Sequence, residues 1–346
     1  MPSSFHRVAA ILVALSLGIG ACSGDEPQPG PSALPTASPT PTPDPTCPLT
    51  GLKPSNPSAL ERPAVALKIE NSPAARPQHG LEDADLVYEE IVEGGITRFM
   101  AIFHCGTSKQ AGPVRSARFD DPKIARPFTE MIAFSGANDI VETELEKRGI
   151  AAIDEDDAAG ALFRIPPGVL EIHNLFGHVE KLRSLARQRD LPPPPENYFK
   201  FAPEPTTGAR RARKVTINFT SGNTIEYRWR GDSWLRFEAG QPFMTADGEQ
   251  IAIANLLIQE VEVNNSSRIF DTAGNPSPDI DLTNGGRALL FRDGTVTKGR
   301  WISKKEGTVT VFETKAGDAF TFSPGSIWIE LVPSRAGSVK GSFDWR

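Results

Sequence analysis

The apolar and polar positions divide the chain into four textures. Val8 to Ile19 is an almost unbroken apolar run. Ser23 to Thr46 has almost no large apolar residue and is dense in proline, serine and threonine. From Cys47 onward, short apolar runs alternate with polar loops. Pro63–Ile69, Ile96–Phe103 and Met131–Phe134 have the length and composition of strands. Leu86–Val92 fits two periods: its β-branched and aromatic residues favour a strand, while its apolar positions also recur at helical spacing. Gly94-Gly95 ends it in either case. A helix is expected from a cap at Asn138 or Asp139 through Arg148, with Gly149 as its stop. A second is expected over Leu175–Arg189, capped by Asn174, with Leu175, Val179, Leu182 and Leu185 on one face.

From Lys214 the texture changes to many short strands: VTINF, TIEYRW, SWLRF, IAIANLLIQEVEV, ALLF, TVTKGRWI, TVTVFE, AFTF and IWIELV. Asp293-Gly294 is a two-residue hairpin signal and Gly222-Asn223 a weaker one. The pattern predicts an α/β domain with a mixed sheet over residues 47–205. A mainly antiparallel β domain over 206–346 follows, α+β overall.

The first two textures read as an address. Arg7, the apolar run and Ile19-Gly20-Ala21-Cys22 have the order of a bacterial secretory signal over residues 1–21, too short to span a bilayer as a mature helix. Small residues before a cysteine are similar to a lipobox, in which Cys22 is acylated; an ordinary signal peptide with an incidental cysteine is the alternative. Residues 22–46 are then a tether, too polar to bury enough surface to offset chain entropy and biased by proline to an extended form. The expected location is the cell membrane, lipid-anchored on its extracytoplasmic face.

The net charge of −6 gives no support for nucleic-acid binding. Cys47 and Cys105 are left in an oxidising compartment, so a disulfide is expected, with two free buried thiols as the alternative. Four of the tryptophans, Trp229, Trp234, Trp301 and Trp328, are candidates for a sugar-binding groove. At strand spacing they fit core packing better.

The acids Glu89 and Glu93 invite a glycosidase reading. On a strand they would be roughly 13 Å apart, beyond the separations that either hydrolytic geometry needs. The arginines are more suggestive. Arg98, Arg115 and Arg118, with Arg126 nearby, cluster around Ser116, and guanidinium bonds two phosphate oxygens at once. Asp120 and Asp121 either pair with these arginines or hold a divalent cation beside a diphosphate. His173 and Asn174 precede the expected helix, whose N–H groups would favour an anion. An internal salt-bridge network explains the same residues. No HExxH, paired CxxC, glycine-rich phosphate loop or GxSxG is present, and no metal site is expected.

The chain resembles the YerB-like bacterial lipoproteins, a group defined as a domain of unknown function. The resemblance rests on PLTGL (48–52), RPAVALKIEN (62–71), ARPQHGLEDADLVYEEIVEGGITRF (75–99), GPVRSAR (112–118) and IHNLF (172–176). In the C-terminal part, RDGTVTKGRW (292–301) and PGSIWIELVP (324–333) carry it. It implies a two-domain lipoprotein and brings no activity. A looser similarity is to the LytR-CpsA-Psr enzymes, which transfer glycopolymers from polyprenyl-diphosphate carriers held by arginines. Here Arg98, Arg115 and Arg118 would be the holders, but no acid follows Arg115 as that family's motif requires.

Together these features predict an envelope lipoprotein that binds an anionic or glycan cell-wall ligand through Gly94–Arg118, at Arg98, Arg115, Ser116, Arg118, Asp120, His173 and Asn174. One alternative is an enzyme acting on polyprenyl-diphosphate-linked glycans with a divalent cation. Another is a structural or regulatory protein that binds an envelope partner.

Overall fold

The structure is a computed structural model that describes residues 44–166 and 173–346. The signal, Cys22 and most of the tether lie outside the described residues. So does Ile172 of the IHNLF motif. No helix among the described residues is long and apolar enough to cross a membrane.

The expected strands form at β1 (Val65–Glu70), β2 (Leu86–Ile91), β3 (Thr97–Phe103) and β4 (Met131–Ala133), and a further strand that the pattern did not signal forms at β5 (Ala151–Ile153). All residues of β1, β2 and β3 are buried, so both faces of the sheet are covered there. This settles the ambiguity at Leu86–Val92. Two-sided burial removes the polar/apolar alternation of an ordinary strand, and the apolar run then fits a helix equally well.

The sheet is mixed. β1 is antiparallel to β3 and parallel to β4, and β4 is parallel to β5 across the crossover helix α2 (Asp139–Lys147). Asn138 caps α2 as expected, its Oδ1 accepting from Val141 N at 3.0 Å. On its other side, β2 pairs in parallel with the strand Ile327–Pro333, which is itself parallel to Asn255–Phe270. One continuous sheet therefore passes from residues near the C-terminus into the N-terminal strands. It continues antiparallel through Asn284–Arg292, Thr295–Ser303 and Val311–Thr314.

A second, antiparallel sheet contains Lys214–Thr220, Asn223–Arg230, Ser233–Glu238 and Ser342–Trp345. Its strands alternate as half-covered strands should. Val215, Ile217, Phe219, Ile225, Tyr227, Trp234 and Arg236 form its buried face. Contacts from Tyr227 and Arg236 place that face over β2 and Ile327–Pro333. On the opposite face of the large sheet, Lys68 reaches Asp121 of α1 (Asp121–Ala125), and Tyr88 meets Phe128 just beyond it. Trp234, Trp301 and Trp328 are buried in the core and line no groove.

One helix starts later than expected. Leu175–Gly177 is a short strand pairing with Leu162–Arg164, and α3 runs Val179–Gln188. The apolar spacing that suggested one helix joins a strand residue, Leu175, to the true helical face of Val179, Leu182 and Ala186. Asn174 therefore caps nothing. Cys47 and Cys105 are joined by a disulfide spanning 58 positions.

Candidate functional site

The site begins where β1 runs past the end of β4. The loop Gly112–Arg118 takes over as β1's neighbour: Pro113 O accepts from Glu70 N at 3.0 Å, and Arg115 N donates to Lys68 O at 2.8 Å. Val114 N donates to Leu175 O at 2.7 Å, and Ser135 N donates to Arg115 O at 3.1 Å. Gly112 is required at the start of the loop. Its φ is +151°, and a Cβ there would meet Phe176 Cδ1 at 2.9 Å. The loop is thus fixed by main-chain bonds at the carboxyl end of parallel strands, where open α/β sheets characteristically hold ligands.

A cavity of about 540 Å³ opens there, lined by Arg115, Ser116, Ser135, Arg164, Asn174 and Leu175 among others. Arg115 donates through Nε to Glu70 Oε2 at 2.6 Å. Its two terminal nitrogens make no hydrogen bond among the described residues, and the side chain is about a quarter exposed (26%). Arg164 is held by Glu155 and by Asn174 Oδ1 at 2.8 Å. Glu70 is buried, which opposes its ionisation. Arg98 and Arg115, with the Ser72 N–H, nevertheless hold its carboxyl below the ordinary value. His173 is buried beside Glu70 and Arg115, its Nδ1 without a hydrogen-bond partner among the described residues. Burial depresses its pKa against the pull of Glu70.

The expected site is therefore divided. The structure brings Arg115, Ser116 and Asn174 to one cavity, with His173 close by. Arg98 is buried: Nη1 donates to Ser116 O at 2.9 Å, and burial, with Arg118 as a like-charged neighbour, brings its pKa down to about 10. Arg118 donates to Glu93 Oε2 at 2.6 Å and to the carbonyls of Ser116 and Ala117. Both arginines shape the loop from behind rather than line the cavity. Asp120 is buried too, with Lys123 Nζ at 2.7 Å and Ile280 N donating at 3.1 Å, and burial raises its pKa to about 6. Asp121 accepts from Lys68 Nζ at 2.6 Å and from Arg118 N. Lys68, paired with Asp121 and Glu90, is lowered to about 8 by burial. Neither aspartate offers a free oxygen pair to a cation. Among the described residues, no cluster of three or more acids, histidines or cysteines could hold a metal. Gly94 and Gly95 line a separate depression with Thr220 and Gly222.

Sequence reasoning missed Arg164 and Ser135, which nothing local distinguishes from surface residues. It also missed a fully buried cluster under the second sheet. Arg236 Nη1 donates to Glu89 Oε2 at 2.7 Å and to Tyr227 Oη at 2.8 Å, and Arg236 Nη2 donates to Glu238 Oε2 at 3.1 Å. Tyr227 donates to Glu330 Oε1 at 2.5 Å. Glu89 also accepts from Thr97 at 2.6 Å, and Glu93 from Arg118 and Ser277. The two candidate glycosidase acids thus belong to different networks.

Comparison with known proteins defines the class. Residues 49–192 match the N-terminal domain, and residues 215–329 the C-terminal domain, of the protein of unknown function family DUF3048. The chain belongs to this family. Over 293 residues it is 31% identical to "Putative lipoprotein YerB" of Bacillus subtilis (strain 168), covering 83% of this chain and 86% of that protein. The crystal structure of YerB from Bacillus subtilis superposes with a TM-score of 0.71 at 27% identity, covering 86% of this chain and 99% of that one.

Proposed function

We propose that this protein is a lipid-anchored envelope protein that binds an anionic group of a cell-wall glycan, or of its lipid-diphosphate carrier, in the Arg115 cavity. The lipobox-like Cys22 and the lipoprotein name of the Bacillus relative support the anchor. The observation that carries the binding reading is Arg115 itself. Glu70 fixes its Nε and so its direction, leaving two donors beside a polar cavity. Ser116, Ser135 and Asn174 supply neutral hydrogen-bonding groups, while Arg164, whose nitrogens are already bonded to Glu155 and Asn174, helps to shape the lining. A transferase that needs a metal beside a diphosphate is less well supported, because Asp120 and Asp121 are committed to lysines.

The test is titration calorimetry of the full chain in nonionic detergent, against a short polyprenyl diphosphate and against wall fragments, with and without Mg2+. Binding to either, weakened at least roughly tenfold by Arg115→Gln, is the expected result. Equal binding by the variant would remove the cavity from the reading. No heat with either ligand would move it to a protein partner.

A further inference from the structure

A second and larger cavity, about 840 Å³, lies apart from the Arg115 loop. Its cationic lining comes from three separate segments: Arg126 just after α1, Lys147 and Arg148 at the end of α2, and Lys304 and Lys305 in the loop after Thr295–Ser303. The helix end accounts for two of these cations, since the carbonyl terminus of a helix favours positive charge. Local carboxylates account for part of the rest. Arg126 pairs with Glu130 at 2.9 Å, Arg148 with Glu144 and with Glu306 at 2.6 Å, and Lys147 with Glu144 at 3.6 Å.

Lys304 and Lys305 are different. Both are exposed, and neither side chain has a hydrogen bond or ion pair among the described residues. Their loop is nevertheless fixed. Lys305 O accepts from Ser303 Oγ at 3.0 Å and Thr308 Oγ1 at 2.6 Å, and Glu306 ties the loop to α2 through Arg148. Gly307 at φ +68° lies against the Arg126 stem, where a Cβ would come within 3.3 Å. Five cations thus face three carboxylates around a preformed space, in a chain whose net charge is −6. Such an excess of positive charge attracts multivalent anions, because a cleft focuses the field of the sign that predominates on its walls.

We propose that this cavity binds a linear polyanion bearing successive phosphate groups. The cations are spread over three segments, so a single phosphate can meet only some of them, whereas a run of phosphates can bridge them. Lysine suits the task as a mobile point charge that does not demand bidentate geometry. The site is independent of the Arg115 cavity and does not rest on that reading.

The probe is sodium polyphosphate, with orthophosphate alongside, titrated into the full chain in nonionic detergent at two salt concentrations. The parent protein is expected to bind polyphosphate saturably, more tightly than orthophosphate, and more weakly at high salt. Lys304→Gln with Lys305→Gln should weaken binding at least roughly tenfold without moving the melting temperature. Arg115→Gln, and a control pair of exposed lysines, Lys109→Gln with Lys315→Gln, should leave binding unchanged. Undiminished binding by the Lys304/Lys305 variant would overturn the proposal. So would loss of binding in the Arg115 or control variants, equal affinity for orthophosphate, or no binding by the parent.

Discussion

Two arginines of this molecule occupy opposite situations. Arg236 is fully buried between the two sheets and surrounded by Glu89, Glu238, Glu330 and Tyr227. Arg115 gives one nitrogen to Glu70 and keeps two beside an open cavity. Arg236 lies alone among strand residues in the sequence, whereas Arg115 stands in a conspicuous cluster. Within that cluster, only Arg115 lines the cavity; Arg98 and Arg118 support the loop. What separates a structural arginine from a candidate ligand site is therefore whether its terminal nitrogens are already used, and clustering in sequence does not report that.

The sharpest challenge to this contrast is Arg236→Ala. It leaves Glu89 buried without its cation, and removing one partner of a buried pair costs about 3–5 kcal/mol. Urea unfolding should show a loss of that size or no folded protein; a change under about 1 kcal/mol would mean the cluster is not a structural unit. Arg118→Ala comes next. It leaves the buried Glu93 with Ser277 but without its cation, at an expected cost of about 1.5–3 kcal/mol, since hydrogen bonds to charged groups are the stronger kind.

Glu330 supplies a pH-dependent test. Burial, and the neighbouring Glu89, raise its pKa well above the ordinary 4.5. Between that value and the raised one, the native state holds a proton that the unfolded chain has released. Stability contributed by this group therefore falls as pH rises through the window. Glu330→Gln mimics the protonated form. It should be more stable than the parent at pH 8 by at least about 1 kcal/mol, the difference closing as pH approaches 4.5. Urea midpoints at the two pH values measure it, and a constant offset would show that Glu330 is ionised in the fold. Arg115→Gln should have the smallest effect on stability, under about 1 kcal/mol for a partly exposed pair. Glu70 keeps its bonds from the Asn71 and Ser72 N–H groups and its contact with Arg98.

Much of the fold can be read from period and turn chemistry. Asn138 and Gly149 bound α2 as their side chain and φ require, and Asp293-Gly294 forms the hairpin between Asn284–Arg292 and Thr295–Ser303. Local pattern fails where burial or pairing depends on distant chain. The run IAIANLLIQEVEV looks like one strand, yet Ala252–Ile253 pairs in the second sheet while Asn255–Phe270 enters the first. Leu175 mimicked a helical position because its strand partner, Arg164, lies outside any local window. The same limit applies to the site. Arg115, Ser116 and Asn174 were visible as chemistry, whereas Ser135 and Arg164 join them only through the pairing of β4 and of Leu162–Arg164.

The placement of Ile327–Pro333 beside β2 also has a consequence for how the chain is made. Synthesis delivers β2 more than two hundred residues before this neighbour, so β2 waits with one edge unpaired until Ile327–Pro333 has emerged. An unpaired apolar edge of this kind invites pairing with other chains. A chain cut short before Ile327 would leave that edge open permanently. Closure of the sheet is thus tied to the arrival of one distant strand: only a chain that carries Ile327–Pro333 can cover the edge of β2 with its own backbone.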